Sequence, residues 1–323
     1  MSAESDKTLH VNATVSLVLH GSRMDQAAAA LFPDFSRSKL QQWIKEGAMT
    51  LDGARVRPRD KVAVDQTLVL KVVQEAEVFW AGEDMPLEII YEDADLMVIN
   101  KPAGLVVHPA AGHASGTLVN ALLNYAPELA RLPRGGIVHR LDKDTSGTMF
   151  VARSSVAHQS LVAQLADRSV KREYAAVCIG TVTGGGTISA PMGRHAHART
   201  KMAVVNNGKS AITHYRVKER FGHHTHLAVT LETGRTHQIR VHMAYKHHPL
   251  VGDPVYGGRP RIPAGASEPL ITGLRAFPRQ ALHARTLAFD HPQSGQRLTF
   301  ETDLPDDFEA LLRLLRAEDS PHA

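Results

Sequence analysis

Cysteine is almost absent from this chain. The single Cys178 has no partner for an internal disulfide, and it sits in the apolar run 174–179, where a lone thiol behaves as a small buried hydrophobe. A disulfide-stapled extracellular scaffold is therefore excluded, and the expected compartment is the cytoplasm. No uncharged run approaches the roughly eighteen residues of a membrane-spanning helix. Residues 1–12 are polar and mixed in charge, without the apolar core of a secretory signal, and are expected to form a tail. Also missing are a Gly-rich loop ending in Lys and Ser or Thr, a dinucleotide Gly motif behind a strand, a His-Glu-x-x-His pair and a Cys-x-x-Cys pair. His195, His197, His223, His224, His247 and His248 are scattered rather than set at ligand spacing, so no metal site and no cofactor are expected. A strong charge imbalance is lacking too: 37 Lys and Arg against 33 Asp and Glu leave a net charge of only +4. A polyanionic partner must be argued from local clusters.

What is present is ample apolar material. With 323 residues, 43% of them hydrophobic, the chain exceeds what one core usually organises, and two domains are expected. Residues 23–31 favour a short helix that Pro33 stops. Ser36 suits the N-cap of a second helix, with Leu40, Trp43 and Ile44 on one face and Gly47 as its stop. Residues 49–56 alternate around the turn pair Asp52-Gly53, and residues 62–73 carry further strand signal. A tail over 1–15, a small domain over 16–76 and an acidic linker over 77–86 follow from this reading. Beyond the linker, 87–91 and 96–100 read as paired strands, 117–125 and 155–167 as helices, and 173–180, 212–217 and 226–231 as strands. A helix over 308–315 closes the larger domain, 87–316, before a tail over 317–323. Strands outnumber helices without βαβ alternation, which predicts an α+β fold rather than a doubly wound sheet.

The chain centres on residues 135–147. Apolar Ile137-Val138 leads into a charged turn and Met149-Phe150-Val151-Ala152 runs out of it, so charged groups sit between two buried strands. On its own, Asp142-Lys143-Asp144 also reads as a solvated turn. Resemblance separates the two. His139-Arg140-Leu141-Asp142 followed by Asp144-Thr145-Ser146-Gly147 resembles the signature of the RluA-type pseudouridine synthases. Lys101-Pro102-Ala103-Gly104, Arg172-Glu173-Tyr174-Ala175-Ala176 and the stretch from Thr233-Gly234-Arg235 to Arg240-Val241-His242 resemble that family's other motifs, in its order, and the likeness spans 16–316.

The resemblance implies a catalytic domain built on a long mixed, mainly antiparallel sheet with a central cleft, preceded by a small α+β domain similar to the S4 RNA-binding domain. It implies an isomerisation that needs no cofactor: the C1′–N1 bond of a flipped uridine breaks, and uracil rejoins the sugar through C5. Asp142 would be the essential catalyst, as nucleophile on sugar or base or as acceptor of a sugar proton. Its cationic partner would be Arg240 by the resemblance, although Arg235 and Arg240 both suit a structural ion-pair network. Tyr174 would stack on the base and take the C5 proton. Arg140 would enter the RNA where the nucleotide leaves, and Leu250 or Val251 would wall the uracil. His139, Lys101 and Arg235 would complete the substrate contacts. Arg37, Lys39, Lys45 and Arg55, with Arg23, Arg57, Arg59 and Lys61, would bind RNA from the small domain, and Arg194, Arg199 and Lys201 from a basic loop. Thr148 departs from the aliphatic residue usual there, which bears on packing behind the loop. The implied partner is large-subunit ribosomal RNA or a pre-ribosomal particle, with no membrane and no DNA. The rival reading is a catalytically silent RNA-binding or assembly factor on the same fold.

Overall fold

A computed structural model describes residues 8–33, 35, 37–73, 80–109, 115–198 and 200–319, and its chain divides into two compact units, Met1–Phe79 and Trp80–Ala323. The first unit contains β1 (Thr8–Thr14), α1 (Met24–Leu31), α2 (Arg37–Glu46), β2 (Met49–Leu51) and β3 (Thr67–Val73). The strands form one antiparallel sheet in the order β1-β3-β2. The expected tail over 1–15 is corrected here. Residues 8–14 pair along their whole length with β3, from Thr8 opposite Val73 to Thr14 opposite Thr67. Leu9, Val11 and Ala13 recur with period two and pack on the core of the unit, while His10 and Asn12 between them give the segment its polar look.

Leu40 and Ile44 of α2 meet Met24, Ala27 and Ala28 of α1 and Leu68 and Leu70 of β3 in that core. Each fully buried side chain of this size contributes about 1.5–3 kcal/mol. Trp43 sits at the margin, edge-on to Phe35 and under the Lys39 ammonium. The proposed cap Ser36 lies outside the described residues. Asp25, fully buried, accepts from Arg23, Arg37 and Gln41. Burial alone would raise its pKa, but these three donors hold it down at about 2.

The second unit carries β4 (Ile89–Glu92), β5 (Leu96–Lys101), α3 (Leu118–Tyr125), β6 (Ser146–Ala152), α4 (Ser155–Ala166), β7 (Lys171–Ile179) and β8 (Gly186–Ser189). The hairpin β9 (Met192–Arg194) and β10 (Met202–Val204) comes next. Then follow β11 (Ile212–Arg220), β12 (His224–Leu231), α5 (Gln238–Tyr245), α6 (Glu268–Ala276), β13 (Leu282–Asp290), β14 (Arg297–Glu301) and α7 (Asp306–Asp319). Nine strands make one sheet in the order β4-β5-β6-β13-β7-β12-β11-β8, with β14 paired to β13. Every pairing in it is antiparallel except β6 with β13. This is the long mixed, mainly antiparallel sheet that the sequence predicts. No helix among the described residues is long and apolar enough to cross a membrane.

Two boundaries differ from expectation. Of the segment read as linker, residues 80–86 belong to the second unit: Trp80 and Met85 pack on its core, Asn120 donates to the Ala81 carbonyl, and the Glu83 carboxylate accepts the Gly116 N–H. Acidic composition hid those contacts, because Glu83 is turned to a backbone donor. The last helix runs to Asp319 rather than ending before 317, since Asp319 accepts the Gly222 N–H and Glu318 accepts from Ser267.

The central strands explain how the sheet carries a site. All seven residues of β6 are buried, because Met149 and Val151 enter the core on one face while Phe150 and Ala152 enter the core on the other. Cys178 is buried as expected, its thiol pushed up to about 12 by burial. Where β6 begins, His283 of β13 stands between the Ser146 hydroxyl at 2.9 Å and the Thr302 hydroxyl at 3.0 Å, and the Thr148 hydroxyl donates to the Ala284 carbonyl. Thr148 thus replaces aliphatic packing with a strand-to-strand hydrogen bond. Gly147 has φ of 113°, and a Cβ there would lie 2.2 Å from the Ala284 oxygen. Gly147→Ala is expected to force β6 from β13, lowering stability by at least about 2 kcal/mol in denaturant unfolding and abolishing turnover with it. Wild-type stability in this variant would show that the close approach is not required.

Candidate active site

Between Ile137, which bridges to Val151, and the start of β6 the chain forms the loop 138–145. The Thr145 N–H donates to the Asp142 carbonyl and closes a turn. The two carbonyls inside that turn are each held by a buried cation. Lys101 donates to Lys143 O at 2.9 Å, and Arg279 donates to Asp144 O at 3.2 Å. Arg279 is also paired bidentately with Asp307 at the start of α7, and Gln280 donates to the Thr145 hydroxyl.

This backbone leaves the Asp142 side chain 16% exposed, facing a cavity of about 720 Å³. Arg240 Nη1 donates to Asp142 Oδ2 at 3.0 Å. The remaining edge of the same guanidinium grips Asp253, with Nε donating to Oδ2 at 2.7 Å and Nη2 to Oδ1 at 3.0 Å. Asp253 is held in turn by the N–H groups of Val255 and Tyr256. Burial opposes charge on both members, yet their mutual hydrogen bonds win, raising the Arg240 pKa and lowering that of Asp253. The geometry of the turn at 250–253 depends on Gly252, with φ of 70° and no room for a Cβ beside the Arg279 carbonyl. His237 stands on the other side, its Nε2 3.8 Å from Asp142 Oδ1 and its Nδ1 2.8 Å from the Tyr256 hydroxyl. Burial keeps its pKa below the ordinary histidine value, against the pull of Asp142.

Tyr174 lies in the cavity wall, 7% exposed, and its pKa is raised by burial, so the resting site holds a neutral phenol. Arg140 and Arg235 are exposed at the rim, Arg235 donating to the Ser210 carbonyl. It is therefore Arg240, not Arg235, that meets Asp142. His139 lines the cavity, but its Nε2 accepts the Phe150 N–H, and burial pushes its pKa down to about 3. It orients the loop with one nitrogen and remains uncharged.

Three sequence-derived assignments are displaced. Lys101 is fully buried and does not line the cavity, its ammonium spanning the carbonyls of Pro102, Leu105 and Lys143. Burial lowers its pKa to about 7, with Asp144 and Asp142 opposing the shift. Leu250 and Val251 are absent from the cavity lining: the backbone at 250–251 bonds to β7, sending Leu250 into one core and Val251 into the other. Leu141, Leu231, Ile239 and Leu282 supply the apolar wall instead. Asp253 and Arg279 received no role from the sequence. The only signal for Asp253 was an acid directly after an apolar run and a glycine.

The basic loop residues lie on the β9–β10 hairpin, where Arg194 ends β9 and Lys201 donates to the Val255 carbonyl; Arg199 lies outside the described residues. His195 caps the same turn, accepting the N–H groups of His197 and Ala198. In the first unit, Arg37 pairs with Asp25, Lys39 lies over Trp43, and Lys45 and Arg55 are exposed. Arg194 and Lys201 do not belong to the cavity lining.

The chain that carries this site is similar to known proteins along most of its length. Residues 95–245 match the family model described as RNA pseudouridylate synthase. The chain is 60% identical over 306 residues to the ribosomal large subunit pseudouridine synthase D of Pseudomonas aeruginosa, covering 95% of this chain and 96% of that one. It is 52% identical to the protein of that name from Vibrio vulnificus, over 94% of this chain and 93% of the other. For that of Escherichia coli O157:H7 the identity is 50%, over 97% of each. Among solved structures it is similar to human RNA pseudouridylate synthase domain containing 4, with a TM-score of 0.56 and 26% identity, covering 71% of this chain and 93% of that chain. Human RNA pseudouridylate synthase domain containing 1 gives 0.53 and 26%, over 73% and 97%. Sequence identity sustained along nearly the whole length, joined to a shared fold, makes this chain a member of the RNA pseudouridylate synthase family.

Proposed function

We propose that this protein isomerises specific uridines of large-subunit ribosomal RNA to pseudouridine, with Asp142 as the catalytic carboxylate. The observation that carries the reading is the Arg240 fork, which fixes one Asp142 oxygen at 3.0 Å while the carboxylate faces a cavity large enough for a nucleotide. The names borne by the relatives, ribosomal large subunit pseudouridine synthase D, support this RNA as the substrate and the cytoplasm as the compartment. A silent binding factor would have no use for a buried arginine spent on holding a carboxylate at the cavity.

In this reading Arg140 at the rim occupies the gap left by the departing nucleotide, and the uracil stacks on Tyr174. Asp142 attacks the sugar or base, or takes a sugar proton, as the C1′–N1 bond breaks. The apolar wall of Leu141, Leu231 and Leu282 lets uracil turn without fixed polar contacts on that side. Rejoining through C5 releases the C5 proton, so label on C5 reports turnover although substrate and product have equal mass. The first unit, similar to the S4 domain, docks the surrounding RNA through exposed Lys45, Arg55, Arg57, Arg59 and Lys61.

Asp142→Asn keeps size while removing charge and nucleophile. Its expected phenotype is RNA affinity within a few-fold of wild type and no release of label from uracil C5; substantial release would remove Asp142 from the chemistry. Tyr174→Phe retains the ring and loses the hydroxyl. Because the neutral phenol is the group available to relay the C5 proton, turnover should fall by roughly 10²–10⁴-fold with binding preserved. Near-normal turnover would leave Tyr174 a stacking surface only.

Removing residues 1–79 separates docking from chemistry. The fragment from Trp80 onward should still isomerise uridine at saturating RNA, but with weaker affinity. The slope of log affinity against log salt should flatten by about 0.7 to 0.9 for each phosphate that the fragment no longer neutralises. Unchanged affinity and slope would make the cations of the first unit a solvated face.

A further inference from the structure

Arg172 stands apart from the other arginines of the cavity. It is 8% exposed, lines the cavity, and has its Nε buried without a hydrogen-bond partner. No side-chain hydrogen bond or ion pair joins it to another described residue. Arg240, by contrast, is neutralised by Asp142 and Asp253, and Arg140 and Arg235 reach solvent. The Nη nitrogens of Arg172 are not among the buried unpartnered atoms and so open to the cavity, where an arriving anion can complete the fork. His108 Nε2, in the same lining, is likewise buried and unpartnered, while Asp142 is the only acid among the lining residues. Among the described residues, the Arg172 Nε and the cavity-facing end of its fork are thus left for an incoming ligand.

Position narrows the ligand. Arg172 and Tyr174 are two residues apart on β7, so both point into the cavity from the same face, about 7 Å apart along the strand. A base stacked on Tyr174 leaves Arg172 beside it. Gly234 lies beside the fork: a Cβ there would come within 2.6 Å of Arg172 Nη1, so a side chain at 234 would shift the guanidinium. A neutral uracil carbonyl would leave the guanidinium charge uncompensated. The full negative charge available in RNA is the phosphodiester, whose paired oxygens match the fork.

We propose that Arg172 binds, inside the cavity, a phosphodiester of the strand that carries the flipped uridine. The inference rests on RNA being the substrate, as proposed above. It makes Arg172 a substrate-binding residue whose charge is held ready in the free protein.

The test uses the full-length chain in the Asp142→Asn background, so that binding is read without turnover. The probe is an unmodified transcript of large-subunit ribosomal RNA, titrated from about 50 to 400 mM salt. Arg172→Gln should weaken binding at low salt and reduce the salt slope by about 0.7 to 0.9, whereas Arg172→Lys should keep the slope. Gly234→Ala, which keeps the charge and shifts the fork, should weaken binding as well. Thermal unfolding of Arg172→Gln should occur at or above the wild-type midpoint, because the substitution costs the fold no hydrogen bond or ion pair among the described residues. With Asp142 intact, Arg172→Gln should raise the RNA concentration needed for half-maximal turnover in step with its weaker binding. An unchanged slope with a large fall in turnover would assign the guanidinium to the base and overturn the proposal. An unchanged slope with a lowered midpoint, or a Gln variant that fails to fold, would overturn it in favour of an internal structural role. Wild-type protein that binds the transcript yet releases no label would instead refute the proposed activity, leaving the slopes to decide the phosphate contact on their own.

Discussion

The site depends on one guanidinium shared between two carboxylates. Arg240 satisfies Asp253 with two parallel bonds and Asp142 with a third, so its planar fork fixes the angle between the two acids as well as their distance. Asp253 is wholly buried and Asp142 is not. Of the two negative charges, one is therefore compensated inside the protein and the surplus resides on the member that faces the cavity. Losing either partner of such a buried pair typically costs about 3–5 kcal/mol, which ties the catalytic loop to α5 and to the turn at Gly252. A lysine in place of Arg240 would deliver a point charge and lose the angular constraint.

Around that clamp the loop is held by its backbone. Lys101 from the end of β5 takes one carbonyl and Arg279 from before β13 takes the next, while Gln280 fixes the following hydroxyl. Each anchor comes from a different segment of the chain. The carboxylate is thus oriented before any substrate arrives, which is the condition under which electrostatic and proximity effects act without reorganisation. Arg172 follows the opposite logic, being left without an internal partner in the same cavity.

Part of the sheet and most helices were legible because their residues obey local periodicities: β6 as an apolar run, β4 and β5 as a hairpin around 92–95, α2 by its Leu40 and Ile44 face, whereas β8, β9, β10, β13 and β14 were not read. Asp142, Tyr174 and Arg240, singled out through the family resemblance of their motifs, line one cavity. The failures share a physical cause, which is that a side chain's destination is set by partners distant in sequence. Lys101 was assigned to the substrate through the resemblance, but the carbonyls of Pro102, Leu105 and the distant Lys143 accept from its ammonium and hold it in the core. Leu250 and Val251 have the apolar character of a cavity wall, but alternation along an extended segment sends them to opposite cores. Asp253 lay in plain view behind Gly252, yet its role appears only once α5 brings Arg240 across from it. The strand β1 was hidden by its polar partners in the alternation, and β3 must be present before those residues have anything to pair with.

The parallel pairing of β6 with β13 also sets an order of assembly. The Ser146 hydroxyl and the His283 ring that close this junction are 137 residues apart, and Arg279, which holds the catalytic turn, arrives with the same late segment. Contacts of such sequence separation form slowly, after local hairpins such as β11 with β12. On the ribosome, domains fold as their residues emerge, so a nascent chain that has delivered Asp142 still lacks the strand that fixes it. Anchoring of the loop is thereby withheld until residues 279–283 have emerged, and a shorter nascent chain would carry the aspartate without the backbone contacts that orient it.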